Sequence, residues 1–147
     1  MSPHWTDNML RFTLRGGSVY HFQHRDLFSE KSHFFVVLNP SPASDAFLVF
    51  TVVSSKIESV KSRRKDLPTD TLVEICPSEY GDFTVDSIVD CNTVFHKTRQ
   101  ELLLKLQSGQ AFEKTPMPAD ILGKIRQGVL ASPLIEDSVK DLLRDRP

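Results

Sequence analysis

Two strongly apolar runs, residues 34–38 (FFVVL) and 46–53 (AFLVFTVV), flank a cluster of turn formers at 39–45 (NPSPASD). No other stretch constrains the fold of the chain as much. The first run is too short for a stable helix, and both are rich in Val and Phe, which suit a pleated surface. Pro40 and Pro42 fix φ and remove two amide donors, so a hydrogen-bonded ladder must stop between the runs. The stretch predicts two core strands joined by a connection of about seven residues, a long hairpin loop. The second strand ends in Ser54-Ser55, followed at once by Lys56, a polar and positive rim on an apolar sheet.

The rest of the chain arranges itself around that pair. Residues 1–14 are polar and mixed; Trp5, Met9, Leu10 and Phe12 suggest a packed arm without clear periodicity. After Gly16-Gly17, residues 18–22 (SVYHF) alternate as a half-buried strand does. Residues 24–32 read as a charged loop. Residues 56–70 carry Lys56, Lys61, Arg63, Arg64 and Lys65; they read as a solvated loop, or as a surface that neutralises phosphates without prescribing sequence. Residues 72–76 predict a fourth strand ended by Pro77, and residues 84–95 a fifth.

Beyond residue 97 the period changes. Leu102, Leu103 and Leu106 mark an amphipathic helix over 97–107, stopped near Gly109. Residues 110–117 read as a linker. Ile121, Leu122, Ile125 and Val129 mark a second helix opened by Pro118, and Ser132-Pro133 reads as the start of a third. Strands first and helices after predict an α+β domain over 1–147, with a small barrel of about five strands at 16–95 and a helical part at 97–145.

Composition narrows the functions. A net charge of −1 gives no global basic field, so any nucleic-acid surface must come from local segregation of charge. Cys76 and Cys91 do not make a disulfide framework and read as free thiols in apolar surroundings. No run approaches the roughly 18 apolar residues of a membrane span, and no secretory leader is evident, so a cytoplasmic setting is expected. The spacings of zinc, phosphate-loop and dinucleotide motifs are missing, and neither metal nor cofactor is expected. Cys91 with His33 or His96 is a nucleophile pair on paper only.

Cleaving RNA through its 2′-hydroxyl needs a base, a cation for the developing phosphorane charge and an acid for the leaving oxygen. His24, Arg25, Lys31 and His33 supply such groups around one loop, and Ser54, Ser55 and Lys56 supply hydroxyl and charge at the end of the third strand. His21, His24 and His33 bracket that loop, so two or three of them are expected near one end of the sheet; His21 and His33 read equally well as outer-face residues.

The order of motifs resembles the PemK/MazF-type toxin family. Residues 17–20 (GSVY) are similar to the family's opening strand; residues 34–38 with Val52-Val53-Ser54-Ser55 are similar to its second strand and the end of its third; residues 83–92 (FTVDSIVDCN) are similar to its Asp-Ser-Val-Val segment. The resemblance covers roughly residues 16–110 and implies an SH3-like barrel and a metal-independent endoribonuclease acting on single-stranded RNA. It also implies a homodimer, and a protein antitoxin that holds the enzyme in check. By this resemblance Lys31 and Arg25 stabilise charge, His33 or His24 moves protons, Ser54 and Ser55 bind phosphate, and Lys56, Lys61, Arg63 and Arg64 contact RNA. The chain departs from the family where an arginine usually precedes a proline, here Lys31-Ser32-His33, and where an Arg–Asp pair stands on strand five, here Asp90 and Asn92. Those departures leave a second reading open, a binding module that keeps the fold without the chemistry. The helices beyond 118 extend past the compact members and suggest a partner surface.

Overall fold

A computed structural model describes residues 4–24 and 31–144. The two apolar runs form β2 (His33–Val37) and β3 (Leu48–Ser54), paired antiparallel with Phe35 opposite Val52 and Val37 opposite Phe50. The connection between them is organised by one buried side chain. Asn39 donates through Nδ2 to Asp45 (3.0 Å) and to the Phe47 carbonyl (2.8 Å), and its Oδ1 accepts from the Val49 amide at 2.7 Å. A single amide thereby replaces the ladder that the prolines forbid.

β1 (Val19–Phe22) lies antiparallel to β2, after a turn at Gly17, whose φ of +92° suits only a residue without Cβ. β4 (Leu72–Ile75) and β5 (Ser87–Asp90) pair with each other, and β5 joins β3 through Val53 and Ser54. The single fifth strand expected over 84–95 is in fact two. After Asp90 the chain turns and resumes as β6 (Phe95–Lys97), which takes the other half of the same β3 edge, from Leu48 to Phe50. Residues 110–117, expected as a linker, contain β7 (Ala111–Lys114), paired with β1. The order β4-β5-β3-β2-β1-β7, with β6 beside β3, makes a seven-stranded antiparallel sheet. Its hydrogen-bonded path does not close, so the expected barrel is open: among the described residues β4 and β7 stand at the ends of the path, and β6 has β3 as its one partner.

The central strands are buried on both faces, which explains their near-continuous apolar runs. Tyr20, Phe22, Phe35, Val37, Leu48 and Phe50 face one core. It is covered by α1 (Asp7–Thr13), which the N-terminal sequence did not announce by period, and by α3 (Arg99–Gln107). Alternate residues Val19, Val36, Val49 and Val53 face a second core with α4 (Ala119–Ala131) and α5 (Asp137–Leu143). In α4, Ile121, Leu122, Ile125 and Val129 are all buried, each stabilising by about 1.5–3 kcal/mol. This apolar face of the helix is thus part of the core. Ser132 does not open the third helix. It ends α4, donating its hydroxyl to Asn92 Oδ1 at 2.7 Å, and α5 begins five residues later.

The run at 56–70, expected as a loop, holds α2 (Ile57–Arg63), followed by a 3-10 turn (Thr69–Thr71). Val60 is the buried residue of α2, and its cations lie on the exposed side or at its end. Among the described residues no helix is long and apolar enough to cross a membrane.

Candidate functional site

The ends of β2 and β3 open onto a cleft of about 320 Å³. Its floor comes from the β1, β2 and β3 positions His21, Phe34 and Val53. Lys31, Ser32 and His33 line it from the start of β2, and Ser54, Ser55 and Lys56 from the end of β3. The far wall is the segment from Phe83 to Ser87. Four of the expected catalytic residues, Lys31, His33, Ser54 and Ser55, therefore share one cleft with the expected RNA contact Lys56. No carboxylate lines it among the described residues, and no cluster of three potential metal ligands occurs among them.

Local chemistry explains how each group is held. Ser54 Oγ accepts from the Lys56 amide at 3.1 Å, a hydroxyl-closed turn that carries the chain from β3 into α2. Its hydroxyl proton remains available to donate, and Ser55 beside it is exposed. His33 is half-buried opposite Phe22, and its Nδ1 is buried with no hydrogen-bond partner among the described residues. The His21 ring lies 4.6 Å from Phe34, which in turn lies 5.0 Å from Phe83. Burial first, then the positive charges of Lys114 and His33, lower the His21 pKa below its ordinary value, so its imidazole is neutral near pH 7.

The far wall is tied down from behind. Tyr80 donates its hydroxyl to the Thr115 carbonyl at 2.6 Å, and the Thr115 amide donates to Asp82 at 2.8 Å. That hydrogen bond holds the Asp82 carboxyl below the usual range, and burial raises the Tyr80 phenol well above its own. Ser87 donates to the Val85 carbonyl at 3.1 Å, fixing the rim.

The other expected residues lie elsewhere. His24 does not join the cleft: it is buried among Phe35 and Phe95, with ring centroids 5.9 and 5.0 Å away, on the opposite face of the sheet. Arg25 lies outside the described residues. Three of the four expected RNA contacts are engaged with carboxylates: Lys61 sits 3.2 Å from Glu74, Arg63 3.9 Å from Asp90, and Arg64 donates to Asp90 at 2.9 Å. Arg64 also donates to Thr93 (3.0 Å) and is largely covered, a joint between α2 and β5 rather than an open cation.

Asp90 and Asn92, where the family has its strand-five pair, belong to this joint. Asp90 Oδ1 accepts from the Asn92 amide and side chain, and Asn92 donates on to Thr71 at 2.9 Å. The joint stands at the far end of β5 from Ser87. Cys91 is fully buried, and burial pushes its thiol up to about 12, far from the thiolate a nucleophile needs. His21, Phe34 and Phe83 were missed as site residues. The alternation of 18–22 placed His21 on a face, but which face the cleft would occupy depends on strand neighbours.

No protein-family model matches the sequence, and no curated protein does. Solved structures match it. One is an endoribonuclease in complex with its cognate antitoxin from a mycobacterial species, at 11% identity and a TM-score of 0.50, over 80% of this chain and 91% of that one. Another is MazE-MazF from Deinococcus radiodurans, at 15% identity and a TM-score of 0.49, over 79% and 90%. At such identity the first likeness speaks for the fold. The chain thus shares the overall fold of that antitoxin-bound endoribonuclease, a fold of the kind that the sequence motifs implied.

Proposed function

We propose that the chain is a toxin-like endoribonuclease that cleaves single-stranded RNA without a metal and is held in check by a protein antitoxin. The observation that carries the reading is the meeting of Lys31, His33, Ser55 and a neutral His21 in one cleft that no carboxylate lines among the described residues. The fold shared with an antitoxin-bound endoribonuclease supports it. In this reading a 2′-hydroxyl loses its proton to a neutral imidazole and attacks the adjacent phosphorus. Lys31 and Lys56 stabilise the phosphorane charge, and Ser54 and Ser55 donate to its oxygens. The 5′-oxygen leaves with a proton from the second imidazole, giving a 2′,3′-cyclic phosphate. His21 is assigned as the base, since its lowered pKa keeps it unprotonated. His33 is the partner acid. A homodimer that lays two such clefts on one RNA surface belongs to the same proposal.

The test is incubation of purified protein with single-stranded RNA in excess chelator. Cleavage to cyclic-phosphate ends is expected, and Lys31→Ala combined with Ser55→Ala is expected to lower the rate at least a hundredfold and to relieve growth arrest on expression. Cleavage that requires a metal, or undiminished cleavage by the double variant, overturns the assignment. One observation favours the alternative of a binding module without chemistry: Asp90 and Asn92 are consumed in a structural joint away from the cleft. RNA binding without cleavage by folded protein decides for that reading.

A further inference from the structure

On β1, His21 is directly opposite Phe34 of β2 on one side and Phe112 of β7 on the other. Directly paired residues of antiparallel strands share a face, with Cβ atoms about 4.5–5.5 Å apart. The neighbouring pair Phe22–Ala111 faces the opposite core, which fixes the alternation. Phe112, His21 and Phe34 therefore form one aromatic row across three strands, continued by Phe83 against Phe34. Phe34 is half-buried, whereas Phe112 is 56% exposed on an edge strand. Such a ring gains nothing from the core it stands beside. It stands beside His21, which lines the cleft, and Lys114 stands two residues along on the same face. Lys31 and Lys56 stand at the other rim.

A row of flat rings flanked by cations at both ends matches an anionic chain whose bases are unpaired: the rings accept base faces and the cations accept phosphates. We propose that Phe112 is a base-stacking position for the nucleotide next to the one held in the cleft. It sets how single-stranded RNA enters along β7, β1 and β2. This rests on the nuclease reading and assigns its substrate path. Duplex RNA, whose bases are covered, does not fit the row.

The experiment uses a 2′-O-methyl RNA oligonucleotide, which binds without being cleaved, at one fixed salt concentration. Affinity is measured for the wild-type chain, Phe112→Ala, Phe112→Leu and Phe112→Trp, each checked for an unchanged melting temperature. Stacking predicts roughly tenfold weaker binding for Ala and Leu alike. The Trp variant is expected to retain affinity and to lose indole emission on titration, beyond any change shown by Trp5 in the wild-type chain. Equal affinity in the wild-type chain and all three variants overturns the stacking position, while cleavage by the wild-type chain still upholds the nuclease reading. Full affinity of the Leu variant with loss in the Ala variant also overturns it, since an apolar contact then suffices. No binding by the wild-type chain overturns both.

Discussion

His21 is the residue where fold and chemistry meet. It sits in the middle of a strand, yet its ring stands at the cleft, and burial together with Lys114 and His33 lowers its pKa below 6.5. The sign of the linkage follows. Below pH 6.5 the unfolded chain takes up a proton that the folded chain resists. The stability this residue contributes is therefore full above 6.5 and falls as pH drops toward the lowered folded-state value. Lys114→Gln removes one of the two charges but leaves the burial, so the imidazole midpoint, read from its ring-proton shifts, is expected to rise toward 6.5 without reaching it. A wild-type midpoint at or above 6.5, or no response to the substitution, contradicts this account. At this scale the sequence was an incomplete guide. It nominated Lys31, His33, Ser54 and Ser55, which line one cleft because the two open ends of an antiparallel hairpin lie together. It also nominated His24, which lies beyond the end of β1 and packs against Phe35 and Phe95 on the other face.

Among the elements, α4 gives the clearest contrast. Gly128 packs against β5 and the 3-10 turn, and a Cβ there would lie 2.8 Å from both the Asp70 carbonyl and Cys91 Sγ. Gly123, one and a half turns earlier on the same helix, meets nothing within 4 Å. The same substitution should therefore have opposite signs. Gly123→Ala is expected to raise stability by about 0.5–1 kcal/mol through reduced unfolded-state freedom. Gly128→Ala is expected to lower it by about 1–3 kcal/mol through overpacking against a backbone that cannot yield. Urea midpoints of the two variants check both; a shift of the same sign in each refutes the packing account. The apolar face of α4 was legible because its period is strong. The α2 helix was not, because its seven residues bury little besides Val60 and its cations resemble those of a loop. β7 was hidden for a related reason: a four-residue edge strand has only Ala111 buried. The thirteen-residue α4 needs no partner to be recognised; these two are helix and strand only because neighbours hold them.

For the whole molecule, the two cores share the central strands, so opening either face exposes the other. Cys91 reports on that unity. It is fully covered between β5 and α4 with its thiol raised, while Cys76 is half-buried at the end of β4. Alkylation of native protein should label Cys76 readily and Cys91 only at the rate of global unfolding, accelerating with urea along the unfolding transition. Rapid labelling of both thiols in the native state contradicts a shared core. The sequence by itself determined the central hairpin, the α+β class and the long helix, though not the order of strands and helices, since apolar period and turn chemistry are local and survive without neighbours. It also determined which residues sit at the ends of β2 and β3. Only the tertiary structure decided that Arg64 turns inward to Asp90 rather than outward to a phosphate, and that His24 leaves the cleft. It alone brings Phe112, His21 and Phe34 into one row, though they come from residues 112, 21 and 34 of the chain. The physical reason is register. A strand's faces are fixed by its own alternation, but which neighbour stands beside it, and so what a cleft contains, is fixed by pairing across long separations in sequence.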